Sequence, residues 1–270
     1  MKHTMGELGL RIITASALFA GAIVWLFFLP PRWFDLVLGL IAMVATVELL
    51  RMVDMQQRVA YSLTAGLMWG LLVLGHGAWD MLAVAWLVLI IAWTFLLIVY
   101  AKHGALEVAF RKLAYAQWMM LWLTLFVLVM MQLHARADGV VFIAGACAGV
   151  WAADIAAYFT GKTWGERKLC PVVSPGKTLE GLAGGALAGV AVASIIWFVW
   201  IDMSLYLALL LGVVLVFCAV LGDLAESMLK RAVGVKDSGN MLPGHGGLLD
   251  RIDALLPAIP AVGLIWMLFT

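Results

Sequence analysis

Asp223, Glu226, Ser227 and Lys230 follow one another at i, i+3, i+4 and i+7, which puts all four on one face of a helix. Further on, Asp250 and Asp253 repeat the three-residue spacing with Arg251 between them. Acids at a helix start can be simple caps favoured by the helix dipole. Two carboxylate pairs, however, supply hard oxygen ligands. These suit Mg²⁺, which keeps several waters and binds through one or two carboxylates plus substrate phosphates. Between the pairs stand Lys230-Arg231, Lys236-Asp237 and Pro243-Gly244-His245-Gly246-Gly247. Glycines let a ligand approach the backbone, whose N–H groups then bind anions. Together the cations, carboxylates and glycines point to a nucleoside triphosphate. A basic patch against anionic lipid would explain the cations, but not Asp237, Asp250, Asp253 or the glycines.

A second polar stretch lies upstream. Asp154 and Tyr158 are four apart, and Ser174-Pro175-Gly176-Lys177-Thr178-Leu179-Glu180-Gly181 follows. Hydroxyls, backbone donors and an ammonium there suit a second phosphate. The spacing is not that of the nucleotide-binding phosphate loop, which also needs a preceding strand. A plain turn with a helix cap at Thr178 is the simpler alternative.

The elements that must position these groups are hydrocarbon. The chain is 65% hydrophobic and 12% charged, with a mean hydropathy of +1.07, which excludes a soluble domain and predicts a polytopic membrane protein. Apolar runs near the roughly 20 residues of a spanning helix fall at about 12–29, 33–50, 59–75, 79–100, 114–133, 139–159, 181–201, 204–226 and 254–270. The expected fold is therefore all-α, with about nine transmembrane helices and two cytoplasmic polar loops, roughly 160–180 and 227–253. No alternating pattern of a membrane barrel is present. With nine spans, the N-terminus and the loops after even-numbered spans carry fifteen of the 17 Lys/Arg; only Arg32 and Arg136 fall on the other side. This bias predicts an inner-membrane protein with both polar loops in the cytoplasm. Residues 1–138 read as scaffold helices, with Glu48 the one exception, and residues 139–270 as the catalytic region. Gly184, Gly185 and Gly189 predict close helix packing. Cys147, Cys170 and Cys218 form no metal or disulfide pattern. Lys2 and Arg11 precede the first apolar run, but no small-residue cleavage site follows it, so that span is expected to be retained.

Ser227, Lys230-Arg231, Lys236-Asp237, Pro243, His245-Gly246-Gly247, Asp250-Arg251 and Asp253 together closely resemble the signature of the phosphatidate cytidylyltransferase family, the membrane CDP-diacylglycerol synthases. Asp154, Tyr158 and the Ser174–Gly181 segment also look like the family's. The resemblance covers the last 120 or so residues. It implies that CTP and phosphatidate give CDP-diacylglycerol and pyrophosphate, with the lipid phosphate attacking the α-phosphorus of CTP. Under it, Asp223 and Asp250 bind Mg²⁺, with Asp154 or Glu226 in support and room for a second cation. Lys230, Arg231, Lys236 and Arg251 hold the triphosphate, with Asp237, His245, Gly246 and Gly247 in the same loop. Ser174, Lys177 and Thr178 hold the lipid phosphate. A nucleophile that is already an oxyanion needs no general base, so His245 anchors the loop or hydrogen-bonds phosphate. Membrane lipid is the expected surrounding, a homodimer is compatible with the sequence, and nothing calls for nucleic acid.

Two other functions fit part of the pattern. A CTP-dependent lipid kinase would share the helices and the CTP site but move the γ-phosphate onto a hydroxyl, and would need a base beside the acceptor. An ion-coupled transporter could use Asp154, Asp223 and Glu226 as an ion path. Transporters usually repeat such polarity in both halves, and here it is confined to one.

Overall fold

A computed structural model describes residues 16, 19–55, 57–100, 106–241 and 246–269. Its helices are α1 (Phe19–Phe28), α2 (Pro31–Met52), α3 (Arg58–Leu74), α4 (Trp79–Tyr100), α5 (Leu106–His134), α6 (Gly139–Trp164), α7 (Leu179–Trp200), α8 (Leu205–Ala232), α9 (Leu249–Ile252) and α10 (Leu255–Met267). The fold is the expected all-α membrane protein. Six of these helices (α2, α4, α5, α6, α7 and α8) are long and apolar enough to span a bilayer among the described residues. Among the described residues, length alone does not confirm the count of nine. α3 has 17 residues, and the 13 of α10 cover about 20 Å against a hydrocarbon core of about 30 Å.

The stretch expected as a polar loop at 160–180 is more ordered than that. α6 continues to Trp164, and an antiparallel hairpin follows: β1 (Lys168–Cys170) and β2 (Ser174–Thr178), with Lys168 opposite Thr178 and Cys170 opposite Ser174. The ninth helix also differs. Asp250 lies on the one-turn α9, whereas Asp253 sits in the turn before α10, so the two do not share a helix.

The chain divides into two compact units. The first takes residues to Met131 together with Val233–Arg251; the second takes Gln132–Ala232 and Ile252–Thr270. In the first, α2 packs on α3 and α3 on α4. Their few polar groups are satisfied internally, as a lipid surrounding requires. Thr46 donates to the Ala42 carbonyl at 2.8 Å and accepts from Trp69 Nε1 at 3.0 Å, while Trp93 Nε1 donates to Thr64 Oγ1 at 3.0 Å. At the α2–α3 turn, Lys112 Nζ donates to Asp54 Oδ2 at 2.8 Å and holds that carboxyl below its usual range. So exposed a pair adds little stability.

In the second unit α6, α7, α8 and α10 pack together. Small residues let α6 and α7 close on each other: a Cβ on Gly185 would come within 2.7 Å of the Ala153 carbonyl, and one on Gly189 within 2.9 Å of the Gly149 carbonyl. Phe142 stacks between Trp197 and Trp266, at 4.9 and 4.3 Å between ring centres, tying α6 to α7 and α10. Gly222 matters most for the site. A Cβ there would meet Pro257 Cγ at 2.6 Å, so only glycine lets α10 and the Asp253 turn settle against α8 beside Asp223.

Candidate active site

Candidate groups occur in both units. In the second unit, α8 runs without interruption through Asp223, Glu226, Ser227 and Lys230. Lys177, on β2, forms an ion pair with Asp223, and Ser227 Oγ donates to Asp223 Oδ1 at 3.3 Å. The Lys177 and Asp223 side chains are 28% and 29% exposed, so an incoming anion can reach the pair. One turn along, the buried Glu226 accepts from Lys230 Nζ at 2.6 Å. Lys230 is thus engaged with a carboxylate rather than projecting into solvent. Asp253 completes the group. Burial, then the nearby carboxylates of Glu226 and Asp223, push its carboxyl above the usual range.

Lys177, the partner of Asp223, lines a cavity of about 440 Å³. Its polar lining includes Asp154, Tyr158, Ser174, Lys177 and Thr178; Leu182, Ala186, Val216 and Val220 form an apolar wall. Asp154 feels the charges of both Asp223 and Lys177. Lys162 Nζ stands 5.7 Å over the Tyr158 ring. The cavity therefore offers an ammonium and a hydroxyl at one part and hydrocarbon at another.

Thr178 is buried at the N-cap of α7, where its Oγ1 accepts from the Gly181 amide at 3.1 Å. The cap uses the hydroxyl as an acceptor, and its proton can still be donated. Glu180, two residues on, fastens the hairpin base. Its Oε2 accepts from the Glu166 and Arg167 amides at 3.1 and 3.2 Å, and its Oε1 from Arg167 Nε at 3.0 Å. Glu180→Ala is expected to raise amide exchange across residues 166–178 by about tenfold, read by hydrogen-exchange mass spectrometry. Unchanged exchange would show that the strand pairing alone orders the hairpin.

In the first unit Asp250 organises the signature segment. The Ser238 amide donates to its Oδ2 and Oδ1 at 3.0 and 3.2 Å, and the Gly247 amide to Oδ2 at 2.9 Å. Gly246 has φ +78°, a left-handed conformation that glycine adopts without the Cβ clash of other residues. Lys236, Asp237 and Arg251 are exposed, as is Arg231 in the second unit. Pro243, Gly244 and His245 lie outside the described residues, so the expectation for His245 has no structural counterpart. Sequence reading gave Glu48 no role. Its carboxylate is buried in the first unit and accepts from Ser238 Oγ and from the Leu248 and Leu249 amides. The only signal in the sequence was a lone acid in an apolar run.

Among the described residues no three or more His, Cys, Asp or Glu side chains stand in metal-ligand geometry. The donor set still fits Mg²⁺. Asp223 and Asp253 offer carboxylate oxygens, the hard donors that Mg²⁺ takes, and such an ion draws its remaining ligands from water and phosphate.

A cavity that holds Asp154, Lys177 with its partner Asp223, and an apolar wall, within a bundle of membrane helices, fits a phosphate-handling membrane enzyme. The chain belongs to the cytidylyltransferase family, whose model matches residues 9–269. It is 39% identical over 265 residues to a phosphatidate cytidylyltransferase of Pseudomonas aeruginosa, covering 95% of this chain and 96% of that one. A phosphatidate cytidylyltransferase of Bacillus subtilis is 47% identical over 135 residues, 49% of each chain. One of Haemophilus influenzae is 48% identical over 120 residues, 41% of this chain and 40% of its own.

Proposed function

We propose that the chain condenses CTP with phosphatidate, giving CDP-diacylglycerol and pyrophosphate, at the cytoplasmic face of the inner membrane. The observation that carries this reading is the cavity at the Lys177–Asp223 pair. It combines an ammonium and the Ser174 hydroxyl with an apolar wall, the chemistry of a phosphate that bears acyl chains. Family membership and the relatives' names support the same reaction. The Lys/Arg bias supports the orientation.

The lipid phosphate oxygen attacks the α-phosphorus of CTP; the new P–O bond forms as the bond to the β-phosphate oxygen breaks, and pyrophosphate leaves. No proton need be removed from the nucleophile. The work is to bring two anions together and hold them in line. Lys177 is placed to exchange its partner, releasing Asp223 as it takes up the lipid phosphate. Asp223 and Asp253, with Asp154 and Glu226 near them, would hold Mg²⁺, whose chemistry when bound is neutralisation of phosphate charge, with a second cation compatible. Asp250 is assigned to metal binding on its chemistry and sequence alone. Lys230 and Arg231, and separately Lys236 and Arg251, are assigned to the triphosphate on their chemistry and sequence. Lys230 neutralises Glu226 as well.

Acceptor choice tests the reading. In liposomes with Mg²⁺, label from the cytosine ring of CTP should enter the lipid fraction with phosphatidate and not with diacylglycerol, which lacks the attacking phosphate. EDTA should stop it. A lipid kinase would give the opposite acceptor preference and leave cytosine label in water.

A further inference from the structure

Glu48 lies in the second-last turn of α2, 190 residues before the serine it holds. Its side chain is buried, and three donors converge on it. Ser238 Oγ donates to Oε1 at 2.8 Å; the Leu248 and Leu249 amides donate to Oε2 at 2.8 and 3.1 Å. Those two amides open α9, so the carboxylate caps this one-turn helix from another part of the chain. Gly239 and Gly247 also pack against it: a Cβ on Gly247 would overlap both the Glu48 carboxylate and Ser238 Oγ. Asp250 binds the same segment from within, through the Ser238 and Gly247 amides. The two ends of the signature segment, Ser238 and Gly247–Leu249, are thus fixed at one place by two carboxylates. Lys236 and Asp237 lie just before that point and Arg251 just after it.

We propose that Glu48 is a positioning residue for the nucleotide: its carboxylate fixes the spacing of Lys236, Asp237 and Arg251 and so sets the affinity for CTP. This rests on the reading of the signature segment as the CTP-binding element. A lone buried acid serving only α2 would be satisfied within its own helix or by its neighbours there. Every hydrogen bond Glu48 is seen to make goes to the signature segment instead. Hydrogen bonds to a carboxylate are among the stronger ones, and loss of the acceptor would strand two backbone amides.

The test uses the full chain in detergent. CTP affinity is measured by calorimetry, and the KM for phosphatidate alongside it. Glu48→Ala should weaken CTP binding by about tenfold or more, with the phosphatidate KM changed by less than about twofold. Glu48→Gln can accept both amides through its carbonyl and donate to Ser238, so it should lose only about threefold. Ser238→Ala leaves the amide contacts intact and should also lose about threefold. The double variant Glu48→Ala/Ser238→Ala should be no worse than Glu48→Ala alone. If Glu48→Ala does not fold, Glu48→Gln and Ser238→Ala carry the test by the same readout. Unchanged CTP affinity, or equal weakening toward both substrates with a lowered melting temperature, would overturn the proposal. A wild-type chain that binds CTP but makes no lipid product would sink the proposed reaction and leave the Glu48 result to be judged on CTP affinity.

Discussion

Asp223→Asn is expected to reduce pyrophosphate release by about 10²–10³-fold or more at saturating CTP and phosphatidate, a size typical of losing one electrostatic group that acts on the reacting centre. Asp223 is the residue that the second unit uses most: Lys177 pairs with it, Ser227 donates to it, and Asp154 and Asp253 both lie within its field. Asparagine keeps the shape and removes the charge. The helix should remain folded, because Asp223 is partly exposed and its partners have access to solvent. The Mg²⁺ concentration giving half-maximal rate should rise as well, since one hard ligand is lost. Circular dichroism controls for folding. A variant with normal turnover and normal Mg²⁺ dependence would remove Asp223 from the reaction.

The second large effect is expected at Lys177. Lys177→Met keeps much of the apolar stem and deletes the ammonium, and kcat/KM for phosphatidate should fall by about 10²-fold, equivalent to about 2.7 kcal/mol. The cavity lined by Lys177 is where the lipid phosphate is proposed to bind, and among the described residues Lys162 alone of the other Lys and Arg shares that lining. The effect should sit mainly on the lipid, with CTP affinity little changed. Because Lys177 and Asp223 neutralise each other before substrate arrives, their effects should not add. Asp223→Asn/Lys177→Met should be less impaired than the product of the single losses. Strict additivity would mean that the pair acts as two independent groups, and would argue against exchange of Lys177 from Asp223 to phosphate.

Much of this was legible in the sequence because it is local. The spacing of Asp223, Glu226, Ser227 and Lys230 declares a helical face, and α8 carries all four. A helix cap at Thr178 is also legible from the sequence, and its Oγ1 accepts from the Gly181 amide. The small-residue packing expected of Gly185 and Gly189 is also found. What stayed hidden depends on distant pairings or on weak local signals. Glu48 acquires meaning only from Ser238, Leu248 and Leu249, and no spacing rule joins positions so far apart. The β1–β2 hairpin is too short for an alternating pattern to register, and Pro175-Gly176 reads as a turn although both lie in β2. At the last span the apolar run continues past the end of α10 at Met267. The sequence points to Asp250 as a catalytic, metal-binding acid. Its hydrogen bonds to the Ser238 and Gly247 amides add an organising role that composition could not reveal.

Product stoichiometry bears most directly on nucleotidyl transfer as the reaction of this chain. Purified protein in detergent, given CTP, phosphatidate and Mg²⁺, should release one pyrophosphate for each CTP consumed, with an equal amount of CDP-diacylglycerol and no free CDP. Release of CDP with phosphate left on the lipid, or no consumption of CTP at all, would contradict it.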